Sequence, residues 1–246
     1  MAFLLLNKGM TAEEKTTIAR FIDLAAAAAG SGYNAGEPEY HFLDDIEPGN
    51  GDSLERVAGD VCACTACKLA ESRKNAVPGE GSQQPLVMVI GEGPGADEDA
   101  TGRPFVGRAG QLLDKMLASI GLFRESNCYI ANVIKCRPPG NRDPQPIETD
   151  ACSSFIKRQI QLLNPRYILC VGRIAGQALL NTSESIGRLR GKFIDFHAGE
   201  KTIPFLATYH PSALLRNEEL KRPAWEDLKL LRSALDKALM VTSRDI

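Results

Sequence analysis

The sequence predicts an α/β fold in which a parallel β-sheet lies between layers of helices. Four short apolar runs have the composition of buried parallel strands, and amphipathic helical patterns separate them. The predicted strands are Pro85–Ile90, Cys128–Val133, Tyr167–Val171 and Ile203–Thr208. This alternation of strand and helix is typical of a parallel sheet covered by helices.

Helical patterns follow the predicted strands in order along the chain. The predicted helices are Val106–Ile120, about Ile147–Leu163, Ile174–Leu180 and Pro223–Leu239. In the last of them, leucines recur on one face and Pro223 lies in the first turn, where proline is tolerated.

Residues 1–53 differ in composition from the rest of the chain. Thr11–Ala29 is predicted to be a helix, because Thr11 and Glu14 form a capping-box pattern and Gly30 ends it. Residues 30–53 are rich in glycine, proline and acidic residues, which predicts a flexible linker. The compact domain is therefore expected to occupy residues 54–246.

Charge is distributed unevenly along the chain. Residues 1–60 have a net charge of −7 and residues 101–192 a net charge of +8. A basic middle suits a protein that meets an anionic polymer, although a solvated surface with chance asymmetry would look the same. No apolar run reaches the roughly 18 residues of a membrane span, and no basic segment precedes the short apolar stretch near the start. We expect a cytoplasmic monomer with no membrane partner.

Several of the seven cysteines are spaced like metal ligands. Without an export signal, disulfides are not expected, and clustered cysteines indicate a metal instead. Cys64 and Cys67 form a C-x-x-C pair, whereas Cys136 and Cys152 are 16 residues apart. Four thiolates can bind zinc or an iron–sulfur cluster. Buried free cysteines are the alternative, and Cys62 competes with Cys64 as a ligand.

Chemically active residues follow the carboxyl ends of the predicted strands, where parallel sheets bind ligands. Gly91 and Gly93 would let the backbone approach a ligand, although a tight turn would also need glycine. Glu92 between them is a candidate acid, base or water-positioning group. Asn132 ends the second strand. His210 follows the fourth and is a catalytic candidate, although a lone histidine is more often structural.

Several motifs, in this order, resemble the type-4 uracil-DNA glycosylases. They are Gly91–Gly95 with Glu98, Thr101–Gly107, Asn132, Lys135–Arg142 and His210–Arg216. The resemblance extends from about Cys64 to Leu239, and the family often has alanine where Gly93 stands. It implies a three-layer α/β/α domain with a four-stranded parallel sheet, and it makes residues 54–246 the catalytic domain.

The resemblance implies a DNA-repair enzyme that flips uracil out of DNA and hydrolyses its N-glycosidic bond. The products would be an abasic site and free uracil. Glu92 and His210 would be catalytic, Phe105 would stack on the uracil ring, and Asn132 would recognise its edge. Leu214 would wedge into the gap left in the base stack. Two glycines of the first loop, Gly91 and Gly93, would line the pocket.

The resemblance also implies a [4Fe–4S] cluster, which selects Cys64 over its neighbour Cys62. The implied ligands are Cys64, Cys67, Cys136 and Cys152. Basic residues in or near the motifs are candidates for contacts with DNA phosphates: Arg103, Lys135, Arg137, Arg142 and Arg216.

Two other functions fit parts of the sequence. A non-enzymatic iron–sulfur or zinc module that binds nucleic acid would explain the cysteines and the basic middle. It would not explain Glu92, Asn132 and His210 at strand ends. A metal-dependent phosphohydrolase would need a cluster of His and Asp ligands, which the motifs do not supply.

Overall fold

The computed structural model describes residues 40–41 and 51–242 of the 246-residue chain. The predicted helix Thr11–Ala29 and most of the predicted linker lie outside the described residues. Within the linker range, Tyr40–His41 forms a short strand.

The described strands form one sheet with the parallel centre that the sequence predicts. They are β1 (Tyr40–His41), β2 (Glu80–Gly81), β3 (Val87–Gly91), β4 (Cys128–Asn132), β5 (Tyr167–Val171), β6 (Phe193–Ala198) and β7 (Lys201–Thr208). Their order across the sheet is β1-β6-β7-β5-β3-β4-β2. The four predicted strands, now β3, β4, β5 and β7, run parallel to one another and occupy adjacent positions.

The sheet is wider than the four strands predicted. β6 pairs antiparallel with β7, β2 pairs antiparallel with β4, and β1 pairs parallel with β6. Residues of β6 alternate between buried and more accessible positions. Such a strand lacks the continuous apolar run that identified the four central strands, so the prediction omitted it.

Helices cover both faces of the sheet. Those in the described residues are α1 (Leu54–Ala63), α2 (Leu69–Ser72), α3 (Ala96–Thr101), α4 (Arg108–Ala118), α5 (Pro146–Leu163), α6 (Arg173–Leu180), α7 (Ile186–Leu189), α8 (Pro211–Arg216) and α9 (Lys221–Thr242). The four predicted helices of this domain are α4, α5, α6 and α9, with ends shifted by a few residues. None of the helices in residues 51–242 combines the length and the apolar character needed to cross a membrane.

Successive side chains of β3 pack into two separate cores, one on each face of the sheet. Met88 and Ile90 join the core that includes residues of α1, α5 and α6. Val87 and Val89 join the core formed with α4 and α9. This alternation follows from the two-residue period of a strand. The predicted three-layer α/β/α architecture is therefore confirmed.

Hydrogen bonds of Asp52 and Ser53 attach the start of the described domain to its helices. The Ser53 hydroxyl accepts a hydrogen bond from the backbone N–H of Arg56 at 3.2 Å and caps α1. On α5, the Arg158 guanidinium donates to both carboxylate oxygens of Asp52, at 2.8 and 2.6 Å. The chain is thus tied to the helical layer from Asp52 onward.

Candidate active site

A cleft of about 680 Å³ opens at the carboxyl ends of the four central strands. Loops that follow β3, β4, β5 and β7 form its walls, as expected for a parallel sheet. Five residues proposed from the sequence line it together: Glu92, Gly93, Phe105, Asn132 and His210.

The first-loop glycines make room for neighbouring side chains. A Cβ atom on Gly91 would overlap the Phe105 ring and lie 2.6 Å from Asn132 Oδ1. On Gly93, it would lie 2.7 Å from Ile134 Cγ1. Because real Cβ atoms do not come this close, glycine is needed for the packing of the pocket itself.

Asn132, the last residue of β4, carries an unpartnered acceptor. The residue is 1% exposed, and its side-chain Oδ1 has no hydrogen-bond partner. Buried polar atoms are rarely left in this state, because their lost hydration is not repaid. The carboxamide therefore suits a ligand that donates a hydrogen bond to it.

His210 lies at the N-terminus of α8, and its hydrogen bonds define which ring nitrogen carries the proton. The backbone N–H of Ser212 donates to His210 Nδ1 at 3.1 Å, and the Ser212 hydroxyl is 2.8 Å from the same nitrogen. A backbone N–H can only donate, so Nδ1 is the acceptor and the neutral ring carries its proton on Nε2. Burial lowers the pKa of His210 to about 4; Arg216 acts in the same direction and Glu98 opposes it. The imidazole is therefore neutral at pH 7.

Glu92 is a partly buried carboxyl group in the same cleft. Burial raises the pKa of Glu92 to about 7, the negative charge of Asp143 adds to the increase, and Arg173 opposes it. A carboxyl group with this pKa can hold or release a proton near neutral pH, which suits acid–base work.

The four cysteines selected by the resemblance lie together in the structure. Cys64, Cys67, Cys136 and Cys152 line one small cavity between α1, α5 and the segment after β4. Among the described residues, no three His, Cys, Asp or Glu side chains converge on the position of a single metal ion. Four thiols around one cavity nevertheless provide the donor set of an iron–sulfur cluster, which is larger than one ion.

The other three cysteines are not part of this cavity. Cys128 and Cys170 are fully buried within β4 and β5 and belong to the core of the domain. Cys62 is exposed and does not line the cavity.

Sequence comparison agrees with this arrangement. The sequence profile of the uracil DNA glycosylase superfamily matches residues 78–229. A type-4 uracil-DNA glycosylase of Thermotoga maritima is 46% identical over 187 residues, which cover 75% of this chain and 95% of the relative. Another, of Archaeoglobus fulgidus, is 41% identical over 182 residues, covering 72% and 91%.

The chain belongs to the type-4 uracil-DNA glycosylases. A type-5 uracil-DNA glycosylase of Pyrobaculum aerophilum is less similar, with 33% identity over 156 residues, which cover 56% of this chain and 66% of the relative.

Two adjacent leucines of α8 in this type-4 glycosylase differ in exposure. Leu214, the expected wedge residue, is 2% exposed and packs in the interior, whereas Leu215 is 42% exposed. A side chain that enters a base stack has to project from the surface. Of the two adjacent leucines, Leu215 is the one that projects from the surface in this structure.

Most of the basic side chains proposed to contact DNA phosphates already form ion pairs or hydrogen bonds within the protein. Lys135 is 1% exposed, and its Nζ donates to the Asn132 backbone oxygen at 2.8 Å and to Gln159 Oε1 at 2.7 Å. This buried position removes it as a phosphate contact. The remaining engaged pairs are Arg103 with Glu80, Arg142 with Glu148, and Arg137 with Asn141. Within residues 51–242, the exposed arginines that line the cleft without such a pair are Arg108 and Arg216.

Glu98 has a positioning role that the sequence did not indicate. Its Oε1 accepts hydrogen bonds from the backbone N–H groups of Val106 and Gly107, at 2.8 and 2.9 Å. Its Oε2 accepts one from the N–H of Gly95 at 3.0 Å. Glu98 thus joins the first loop to the segment that carries Phe105. In the sequence, an acidic residue in the first turn of a helix has a simpler explanation, because it favours the helix dipole.

Proposed function

We propose that the chain removes uracil from DNA in base excision repair by hydrolysing the N-glycosidic bond. The observation that carries the proposal is the buried Asn132 Oδ1, which has no partner and lies in the cleft with Phe105 and His210. Uracil supplies the missing donor at N3–H, and its adjacent O4 accepts a hydrogen bond from Asn132 Nδ2. Cytosine presents the reverse pattern, so it would leave buried polar groups unpaired.

The base has to leave the DNA duplex before Asn132 can contact it. Phe105 offers an aromatic face on which a flipped pyrimidine can stack. Its ring centroid lies 5.7 Å from that of His210, so a stacked base would have the imidazole beside it.

His210 stabilises the departing base in the proposed reaction. Water adds to C1′ of the deoxyribose, and the electron pair of the broken C1′–N1 bond moves onto uracil. Negative charge develops on O2 of the base, to which the His210 Nε2–H donates a hydrogen bond. The ring is neutral before the reaction, so it stabilises this charge as a fixed dipole and need not transfer a proton.

Glu92 serves as the carboxylate that orients water and accepts its proton. This role requires the ionised form, whereas a pKa near 7 leaves much of the free enzyme protonated at neutral pH. We expect kcat/KM for uracil excision to fall about tenfold per pH unit below about 7 and to level off above it. His210 stays neutral down to about pH 4. Its titration should therefore cause no further change in kcat/KM between pH 5 and 9.

The pH profile can be checked with Glu92→Gln, which cannot ionise. We expect this variant to be slow and to have a flat profile between pH 5 and 9. A variant that keeps the acidic limb with its midpoint near 7 would show that another group titrates.

We also propose that Cys64, Cys67, Cys136 and Cys152 hold a [4Fe–4S] cluster with a structural role. Three N–H groups point at their sulfurs, which favours thiolate charge there: Ala66 N to Cys64, Arg73 Nη1 to Cys136, and Lys135 N to Cys152. When bound, the cluster joins α1, α5 and the segment after β4. That segment directly follows Asn132, which gives the cluster a structural link to the base pocket.

The purified protein is expected to be brown and to contain about four irons per chain. Cys64→Ser should lose most of this iron, because it removes a ligand. Cys62→Ser is the matched control: this exposed cysteine lies two residues away and does not line the cavity. Metal analysis that finds zinc without iron would contradict the proposal, as would loss of iron in Cys62→Ser alone.

The wedge can be tested by comparing adjacent leucines. Leu215→Ala should reduce excision from double-stranded DNA more than from single-stranded DNA, because only a duplex has a base stack to fill. It should leave Tm nearly unchanged, since the side chain is exposed. Leu214→Ala should mainly lower stability, by about 2–5 kcal/mol for a buried leucine. Equal losses on both substrates for Leu215→Ala would remove it as the wedge.

Release of free uracil from a uracil-containing oligonucleotide tests the proposed function as a whole. We expect free base and an abasic strand, and no release of cytosine from a matched oligonucleotide. Binding of the oligonucleotide without any release of base would instead support the non-enzymatic nucleic-acid-binding module.

A further inference from the structure

Phe105 has a backbone conformation that aromatic residues rarely adopt. Its φ is +53°, in the left-handed region, where a Cβ atom crowds the backbone. The other non-glycine residues with positive φ in the described chain are asparagines, which tolerate this region better: Asn141, Asn164 and Asn181. Strained residues of this kind persist only where the surrounding structure holds them in place, and they cluster at functional sites.

The Arg124 side chain holds the backbone at this strained position. Its guanidinium donates from Nη2 to the carbonyl oxygen of Phe105 at 3.0 Å and from Nη1 to that of Pro104 at 3.1 Å. The residue is only 9% exposed. Two carboxylates compensate its buried charge: Asp114, 2.7 Å from Nη2, and Glu80, which contacts Nη1.

We propose that Arg124 is a positioning residue for uracil excision, which fixes the Phe105 ring at the stacking face of the base pocket. The proposal rests on the proposed uracil-excising function. The planar guanidinium is suited to this role, because it presents donors to two successive carbonyl groups and two carboxylates at once. A lysine ammonium keeps the charge but cannot reproduce this fork of donors.

Without the two carbonyl contacts, the segment is free to relax toward an ordinary backbone conformation, and the ring moves. A misplacement of about 1 Å in a positioning group can cost roughly 100-fold in rate. A partial loss is expected here, because Glu98 still holds the next two backbone N–H groups. We therefore expect Arg124→Lys to lower kcat/KM about tenfold.

A double-mutant cycle separates this role from a purely structural one. Arg124→Lys, Phe105→Ala and the combined variant are compared by single-turnover excision and by the inhibition constant of free uracil. If Arg124 acts through the aromatic ring, adding Arg124→Lys to Phe105→Ala costs little more. The uracil inhibition constant should rise about tenfold in Arg124→Lys, while affinity for abasic-site DNA stays within twofold of wild type. Additive losses, or an unchanged uracil inhibition constant, would overturn the proposal.

Two further variants keep the test decisive. Arg103→Lys is the matched control, because Arg103 pairs with the same Glu80 but makes no hydrogen bond to the Phe105 backbone; its uracil inhibition constant should not change.

If Arg124→Lys does not fold, Asp114→Asn replaces it. Asp114 is half exposed, and its carboxylate accepts hydrogen bonds from the guanidinium of Arg124. Asp114→Asn should lower the excision rate less than Arg124→Lys does, and it should cause no further decrease when combined with Phe105→Ala. Additive decreases in the excision rate would again overturn the proposal. A wild-type protein that releases no uracil would refute the proposed function instead.

Discussion

Replacing His210 by alanine should slow uracil excision by roughly 100- to 1000-fold, the effect of removing one donor from an oxyanion site. The loss follows from the proton position in the structure. The Ser212 N–H occupies Nδ1, so Nε2–H is the donor that the neutral ring can offer to the leaving uracil. This hydrogen bond matters most when negative charge develops on the base, so affinity for DNA should change little. Single-turnover excision and a DNA-binding titration measure the two effects separately.

His197→Ala is a suitable control for the His210 variant. His197 lies on β6 and does not line the cleft, so its replacement should leave the excision rate unchanged. If His210→Ala excises uracil at the normal rate but no longer binds DNA, His210 is a DNA contact and the assigned role is wrong.

Replacing Asn132 by aspartate should narrow the preference for uracil over cytosine. The carboxylate keeps an acceptor for N3–H but lacks the amide donor for O4, and it can accept from the amino group of cytosine. Loss of a buried recognition hydrogen bond costs about 1–3 kcal/mol, which corresponds to roughly 5- to 150-fold in uracil excision. Rates on matched uracil and cytosine oligonucleotides measure both changes.

Asn141→Asp introduces the same change elsewhere in the cleft. Asn141 is exposed and lines the cleft in the loop that follows β4. Its replacement controls for the added negative charge near DNA. Weaker DNA binding with unchanged selectivity is expected for this control. If Asn132→Asp behaves in the same way, the amide is not the group that discriminates between the two bases.

The amino-acid sequence by itself determined the centre of the fold and assigned several residues at strand ends to one cleft. Apolar runs flanked by helical patterns identified β3, β4, β5 and β7, because strands buried on both faces need apolar side chains throughout. Since carboxyl ends of parallel strands meet at one edge, motifs far apart in the chain could be assigned to one site. Glu92, Asn132 and His210 do line the same cleft.

Tertiary structure alone decided which side chains are accessible and what each one contacts. Two adjacent leucines are equivalent in sequence, yet Leu214 is buried and Leu215 is exposed, because α8 packs against α4 and adjacent residues of a helix point in different directions. The sequence alone suggests that Lys135 is exposed, but its side chain is buried and donates a hydrogen bond to the backbone oxygen of Asn132. Arg124 is 19 residues from the strained backbone that it holds, and no local pattern connects the two. Burial and long-range hydrogen bonds arise only when separate elements pack together, so the sequence pattern of any one element cannot specify them.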